Sequence, residues 1–427
     1  MRFHLITLVT AVFLCFAGSG QVALQPLDKA AGNVPAFKRM DQIVQQYIDS
    51  QWMAGATLLV AQDGKIIYHQ AMGVSNLKTK KKMRMDNIFR IASQTKAITS
   101  AALMILFDEG RLLLDDPVSK YIPAFAETKV LNQFNEKDSG YTTVPLKTPI
   151  TIRHLLTHTS GIGYAQIGSP AYSILAAKAG VIAGLGVPGY SLADQVNRIA
   201  TLPLEHQPGE RFTYGLNLDV LGYLIEVVSG RPLDAFMRER IFEPLGMNDT
   251  WFYLPNRLQN RLVSLITIDS TTGRLKNAPE FLDFGGFAFD TDYPLRKGKF
   301  FAGGAGLVST AYDYALFMQM ILNGGTYNGR RILSKNAVQL MTMNQIGSVM
   351  MGENKFGLGF GIVTAEGAAK LGKGEGSLEW GGAFSSSYWI DPKRKLVAQL
   401  FINQMPMEHG DIHQKFVAQV NAAVPLE

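Results

Sequence analysis

A lysine follows a serine by three residues in the stretch Ser93-Gln94-Thr95-Lys96. On a helix that interval is nearly one turn, so the Lys96 amine returns beside the Ser93 hydroxyl. A serine hydroxyl is a weak nucleophile until a neighbouring group accepts its proton. Lysine can be that group only where burial or nearby positive charge lowers its pKa. Taken alone, the same spacing also fits an N-cap serine followed by a surface lysine, because serine is a preferred cap.

Two histidine pairs, His154 with His158 and His409 with His413, have the four-residue spacing of zinc ligands on a helix. Neither pair has an adjacent glutamate or a third ligand, so both read as packed or exposed histidines, and no metal or other cofactor is expected. Gly-x-Ser-x-Gly does not occur, which argues against the nucleophile elbow of the α/β-hydrolases. The glycines of Gly357-Leu358-Gly359-Phe360-Gly361 lie between β-like runs with no helix after them, a poor phosphate cradle.

Further segments follow in a fixed order. Phe89-Arg90-Ile91-Ala92 leads into the Ser-x-x-Lys. After it come Ile152-Arg153-His154-Leu155-Leu156-Thr157-His158-Thr159-Ser160-Gly161, then Gln207-Pro208-Gly209-Glu210-Arg211-Phe212-Thr213-Tyr214, then Ala302-Gly303-Gly304-Ala305-Gly306-Leu307-Val308-Ser309-Thr310. On these segments the chain, from about residue 37 to its C-terminus, resembles the serine β-lactamase superfamily of class C β-lactamases, DD-peptidases and carboxylesterases sharing their fold. The resemblance implies that Ser93 is the nucleophile and that Lys96 and Tyr214 handle its proton. Tyr214 would relay protons between nucleophile and leaving group, with its pKa lowered by Lys96.

Two departures bear on the substrate. The family tyrosine is usually followed by Ser or Ala and then Asn, whereas here Tyr214 precedes Gly215-Leu216-Asn217, so Asn217 comes one residue late and receives no role. Where a β-lactamase has Lys-Thr-Gly to bind a carboxylate, the chain reads Trp380-Gly381-Gly382-Ala383, as the esterase branch commonly does. By that resemblance Trp380, Gly381 and Gly382 bind substrate, the two glycines letting it approach the strand. The backbone N–H groups of Ser93 and Ala383 would form the oxyanion hole, such donors typically contributing a few kcal/mol each. Trp380 also fits a plain packing residue.

The implied function is a serine hydrolase that cleaves esters through an acyl-serine intermediate, nearest the carboxylesterase branch. A class C-like β-lactamase or DD-peptidase using the same residues is the alternative, and a non-catalytic penicillin-binding or sensor protein is an alternative of another class. The presence of all three polar groups argues against the last. The expected partner is a small ester or β-lactam-like molecule; oligomeric state is left open.

The elements that must position these residues follow from periodicity. Residues 37–51 carry apolar side chains at helical spacing, and 56–60 and 65–68 are β-rich runs joined through Gln62-Asp63-Gly64, a hairpin signal. From Ser93 to near Gly110 runs a helix so apolar that it must be buried on nearly every side. Helices and loops are expected onward to about residue 300, including 152–158, 192–200 and 218–228. Then come a helix at 311–322, strands at 359–363, 385–390 and 396–402, and a closing helix at about 413–423. This pattern predicts an α+β, β-lactamase/transpeptidase-like fold, with an antiparallel sheet built from both chain ends, flanked by helices, and an inserted mainly helical region. Residues 35–427 read as a single catalytic domain, its α/β part at about 35–92 and 300–427 and its helical part at about 93–299. Residues 124–149, 164–190 and 278–300 match the family least and are expected to border the cleft.

At 427 residues with 47% hydrophobic and 18% charged residues, the chain can bury a large core. Residues 1–20 have the basic start, short apolar run and small-residue end of a secretory signal, so a periplasmic or secreted protein with no stable membrane insertion after cleavage is expected. The single cysteine, Cys15, lies inside that run, which removes thiol chemistry from the mature chain. The formal charge of +6 is diffuse. Lys78, Lys80, Lys81, Lys82 and Arg84 form a local basic run that reads as a solvated loop, and no nucleic-acid partner is expected.

Overall fold

Asp63 and Gly64, both in the left-handed region with φ of 49° and 72°, fold the strand Gly55–Gln62 back onto Lys65–Asn76. The computed structural model describes residues 23–27, 34–182, 184–186 and 189–426. The signal-peptide reading and Cys15 lie outside the described residues.

That hairpin lies within an eight-stranded sheet in the order Lys355–Phe356, Gly361–Ile362, Leu378–Gly382, Ser386–Asp391, Leu396–Phe401, Gly55–Gln62, Lys65–Asn76, Lys81–Lys82. Every neighbouring pair is antiparallel. The seam between the two chain ends is the pairing of Gly55–Gln62 with Leu396–Phe401, in which Thr57 faces Phe401 and Gln62 faces Leu396.

Side chains alternate across a strand, and both faces here are covered. Leu58 and Val60 pack with Phe37, Met40 and Val44 of the helix Pro35–Asp49 and with Phe416 and Val420 of the helix Ile412–Ala423. Leu59 and Ala61 belong to the main core on the other side, with the helices Thr95–Asp108 and Ala311–Leu322. Twelve side chains of Thr95–Asp108 are buried, as a helix with no polar face requires. The short basic strand Lys81–Lys82 is exposed at the sheet edge, where lysines discourage pairing with another chain.

Two expectations are corrected. Ser93 is not in the α-helix but in a 3₁₀ turn, Ala92–Gln94, that leads into it, and neither residue heading these two helices makes a side-chain cap. The inserted region holds not only helices, among them Leu192–Ala200 and Asn217–Ser229, but also three hairpins. These pair Lys129–Phe134 with Tyr141–Pro145, Ile266–Ile268 with Leu275–Asn277, and Phe281–Phe284 with Phe287–Asp290. Their strands run only three to six residues, too few for an alternation between core and solvent to mark them in the sequence.

Candidate active site

The turn carrying Ser93 is fixed from several sides. Ala92 has φ of 43°, a conformation costly for a residue with a Cβ, and it aims the next side chain out of the helix end. Tyr314 donates to the Gln94 carbonyl (3.0 Å), and Leu307 N–H donates to Thr95 Oγ1 (3.2 Å). Arg90, fully buried, donates to the carbonyls of Thr291 and Val263 and ties the strand before the turn to residues 263–291.

Lys96, 2% exposed, comes back one turn later as its spacing predicts. Its Nζ lies 3.2 Å from Ser93 Oγ and donates to Tyr164 Oη (3.2 Å) and the Gly304 carbonyl (2.7 Å). Burial works against its charged form, but the Tyr164 and Tyr214 phenols outweigh it and hold the amine above its usual range. A lowered pKa, the condition for Lys96 to act as base, is opposed here by these two tyrosines.

Tyr214 stands on the loop before the helix Asn217–Ser229, half-buried, and its hydroxyl donates to Ser93 Oγ over 2.6 Å. Its ring packs between three others: His158 at 4.8 Å between centroids, Tyr164 at 5.3 Å and Trp380 at 5.5 Å. The glycine after it has a steric cause, since a Cβ at Gly215 would lie 1.9 Å from the Ile162 carbonyl oxygen. Asn217, which received no role, is buried and donates to His158 Nδ1 (3.0 Å), so it braces the ring behind Tyr214.

Trp380, Gly381 and Gly382 end the strand Leu378–Gly382, and Ala383 follows, exposed. Trp380 packs on Phe356 as well as Tyr214. A Cβ at Gly382 would lie 2.4 Å from the Ile91 carbonyl oxygen, so this glycine lets the strand approach the nucleophile turn rather than opening room for substrate. At Gly381 an added Cβ would meet only the Ser386 carbonyl oxygen, 3.1 Å away.

Three residues here escaped the sequence reading of the site. Tyr164 lies in a segment without a family match. Asp219, fully buried, accepts the Gly304 N–H at Oδ1 (3.1 Å), and burial pushes it up to about 6 against the opposing pull of that N–H and of Lys96. A lone acid inside Leu218-Asp219-Val220-Leu221 was the available signal for it. His158, counted as packed, is fully buried and held well below its usual range by burial, so it is a neutral ring. The other histidines serve locally: His154 Nδ1 accepts the Thr151 N–H, His409 stacks on Trp52, and His413 meets Ser387 Oγ.

Two of the segments expected at the cleft reach it. Tyr164 touches Lys96, and Phe289 and Tyr293 share an apolar cluster with Ala92 and Phe384. Residues 124–149 instead contact the 204–210 stretch, through Val130 beside Leu204 and Gln207 bonded to the Pro145 carbonyl.

A serine, a buried lysine and a tyrosine converging between an antiparallel sheet and a helical insertion define a serine hydrolase of the β-lactamase/transpeptidase-like fold. The chain belongs to the Beta-lactamase family, whose sequence model matches residues 40–422. It is 31% identical to esterase EstB of Burkholderia gladioli, over 86% of this chain and 90% of that one. It is 30% identical to lovastatin esterase of Penicillium rubens, over 87% and 94%. Its fold matches that of EstCE1, described as a hydrolase with promiscuous acyltransferase activity, with a TM-score of 0.78 and 26% identity over 90% of this chain and 98% of that one.

Proposed function

We propose that this protein hydrolyses small neutral carboxylic esters through an acyl-Ser93 intermediate. The step begins with the Tyr214 proton moved to Lys96, which leaves a phenolate beside an ammonium; Ser93 Oγ then attacks the ester carbonyl as its own proton passes to that phenolate oxygen. Lys96, 4.7 Å from the centre of the Tyr214 ring, stabilises that oxygen in its deprotonated form. Tyr214 then gives the proton to the leaving alkoxide, releasing the alcohol. In the second half a water loses a proton to Tyr214 and attacks the acyl carbon, and Ser93 regains a proton as the acid departs. The N–H groups of Ser93 and Ala383 are the donors assigned to the oxyanion.

The observation that carries the substrate class is Trp380, packed on Tyr214 where a β-lactamase would place a lysine. A carboxylate entering this wall would lose hydration to one neutral indole donor. Relatives named esterases support the same choice. The test compares kcat/KM for p-nitrophenyl butyrate and nitrocefin on one preparation. The ester should be turned over far better, and a preference for nitrocefin would replace this reading with a β-lactamase. Residues 1–20 are assigned as an export signal, which N-terminal sequencing of exported protein would test, and 35–427 as one catalytic domain, which a single cooperative unfolding transition would support and two separate transitions would reject.

A further inference from the structure

None of the steps above uses Asp219, yet it is fully buried beside the groups that do the work. Its Oδ1 accepts the Gly304 N–H, and its Oδ2 is buried with no hydrogen-bond partner. The carbonyl of the same Gly304 accepts from Lys96 Nζ over 2.7 Å. One residue thus holds the carboxylate by its N–H and the ammonium by its C=O. A methyl built on Gly304 would lie 3.5 Å from each of Asp219 Oδ2, Lys96 Nζ and Tyr164 Oη, so the three polar atoms surround one point.

A buried carboxylate with an unbonded oxygen is costly unless a charge offsets it. The groups that face Asp219 are Lys96 from the nucleophile helix, the Tyr164 phenol, the backbone N–H groups of Gly303 and Gly304, and Gly184. Of these Lys96 alone carries positive charge. We propose that Asp219 is the buried counter-charge of Lys96, a positioning residue that holds the ammonium against Gly304 and keeps it protonated while Tyr214 exchanges protons with Ser93. The inference rests on the hydrolase reading above. Burial has pushed Asp219 up to about 6, so the counter-charge is complete above that pH and is lost as pH falls through it.

The experiment uses the full chain and Asp219→Asn, which preserves shape and an acceptor for Gly304. Two rates are followed from pH 5 to 10: hydrolysis of p-nitrophenyl butyrate and covalent labelling of Ser93 by a fluorophosphonate. The variant should lose about tenfold or more in kcat and in labelling rate at pH 8, with KM within about twofold. Wild-type rates should fall as pH drops through about 6, where Asp219 takes up a proton, and this acid limb should be absent from the variant. An undiminished rate, or a uniform loss with the shape of the profile unchanged, would overturn the proposal. Should Asp219→Asn fail to fold, wild-type labelling decides: it must titrate with a midpoint near pH 6, and a flat rate from pH 5 to 7 rejects the idea. Wild-type Ser93 that takes no label sinks the hydrolase reading itself, whereas a labelled wild type with an indifferent variant removes this inference alone.

Discussion

The Tyr164 hydroxyl accepts from the Lys96 amine at 3.2 Å, across 68 residues of sequence, and the Tyr164 and Tyr214 rings, 5.3 Å apart, lie 5.4 and 4.7 Å from that amine. Tyr164 therefore shares with Gly304 the task of holding a charge under Ser93. Tyr164→Phe removes one acceptor and should lower kcat about tenfold while changing KM by less than about twofold. A change confined to KM would mean that Tyr164 touches substrate instead.

Ser93→Ala should abolish ester hydrolysis and covalent labelling, a loss of several orders of magnitude, with the melting temperature unchanged. Turnover above a few per cent of wild type, measured on protein shown to be folded, would rule out Ser93 as nucleophile.

Lys96 and Tyr214 both reach Ser93 Oγ and should act as a unit. Lys96→Ala and Tyr214→Phe should each cost nearly as much kcat as the double variant. Losses that simply multiply would mean two independent contributions and no shared proton path.

Gly215→Ala places a Cβ 1.9 Å from the Ile162 carbonyl oxygen and 2.8 Å from that of Gly163. Backbone cannot yield as a flexible side chain does, so a loss of about 3 kcal/mol or more in urea unfolding is expected. Wild-type stability would show that the loop under Tyr214 is free to shift.

Asp313 is buried at the start of the helix Ala311–Leu322, where its Oδ2 accepts from Asp249 N–H and Thr250 Oγ1. Burial pushes it up to about 7. A carboxyl raised by folding favours the protonated state, so its stabilisation is complete below about pH 4 and is lost as pH rises to about 7. Melting temperatures of wild type and Asp313→Asn between pH 4 and 8 should diverge in that window, the wild type falling more steeply; parallel curves would contradict the assignment.

Much of this could be read from the sequence, because the relevant signals are local. Asp63-Gly64 marked its hairpin through left-handed backbone, and the apolar run after Ser93 marked a helix with no solvent face. Ser93, Lys96 and Tyr214 stood in segments of recognisable pattern and do converge. Tyr164 and Asp219 could not be read this way, because what matters about them is a contact with Lys96 and Gly304 that no spacing encodes. The balance at Lys96 was out of reach for the same reason: burial argues for a neutral amine, and the two tyrosines that oppose it come from distant parts of the chain. The three hairpins were hidden by the shortness of their strands.

The seam between Gly55–Gln62 and Leu396–Phe401 also dictates when the enzyme comes into being. During synthesis the first hairpin and the nucleophile turn emerge well before the strand that packs on Ile91 and the one that completes the sheet. Contacts so distant in the chain are slow to close, and the partly made sheet presents an open edge until they do. A chain still on the ribosome, or truncated, before Leu378 would thus carry Ser93 without a working site around it, and the hydrolase would stay latent until Leu378–Gly382 and Leu396–Phe401 have emerged.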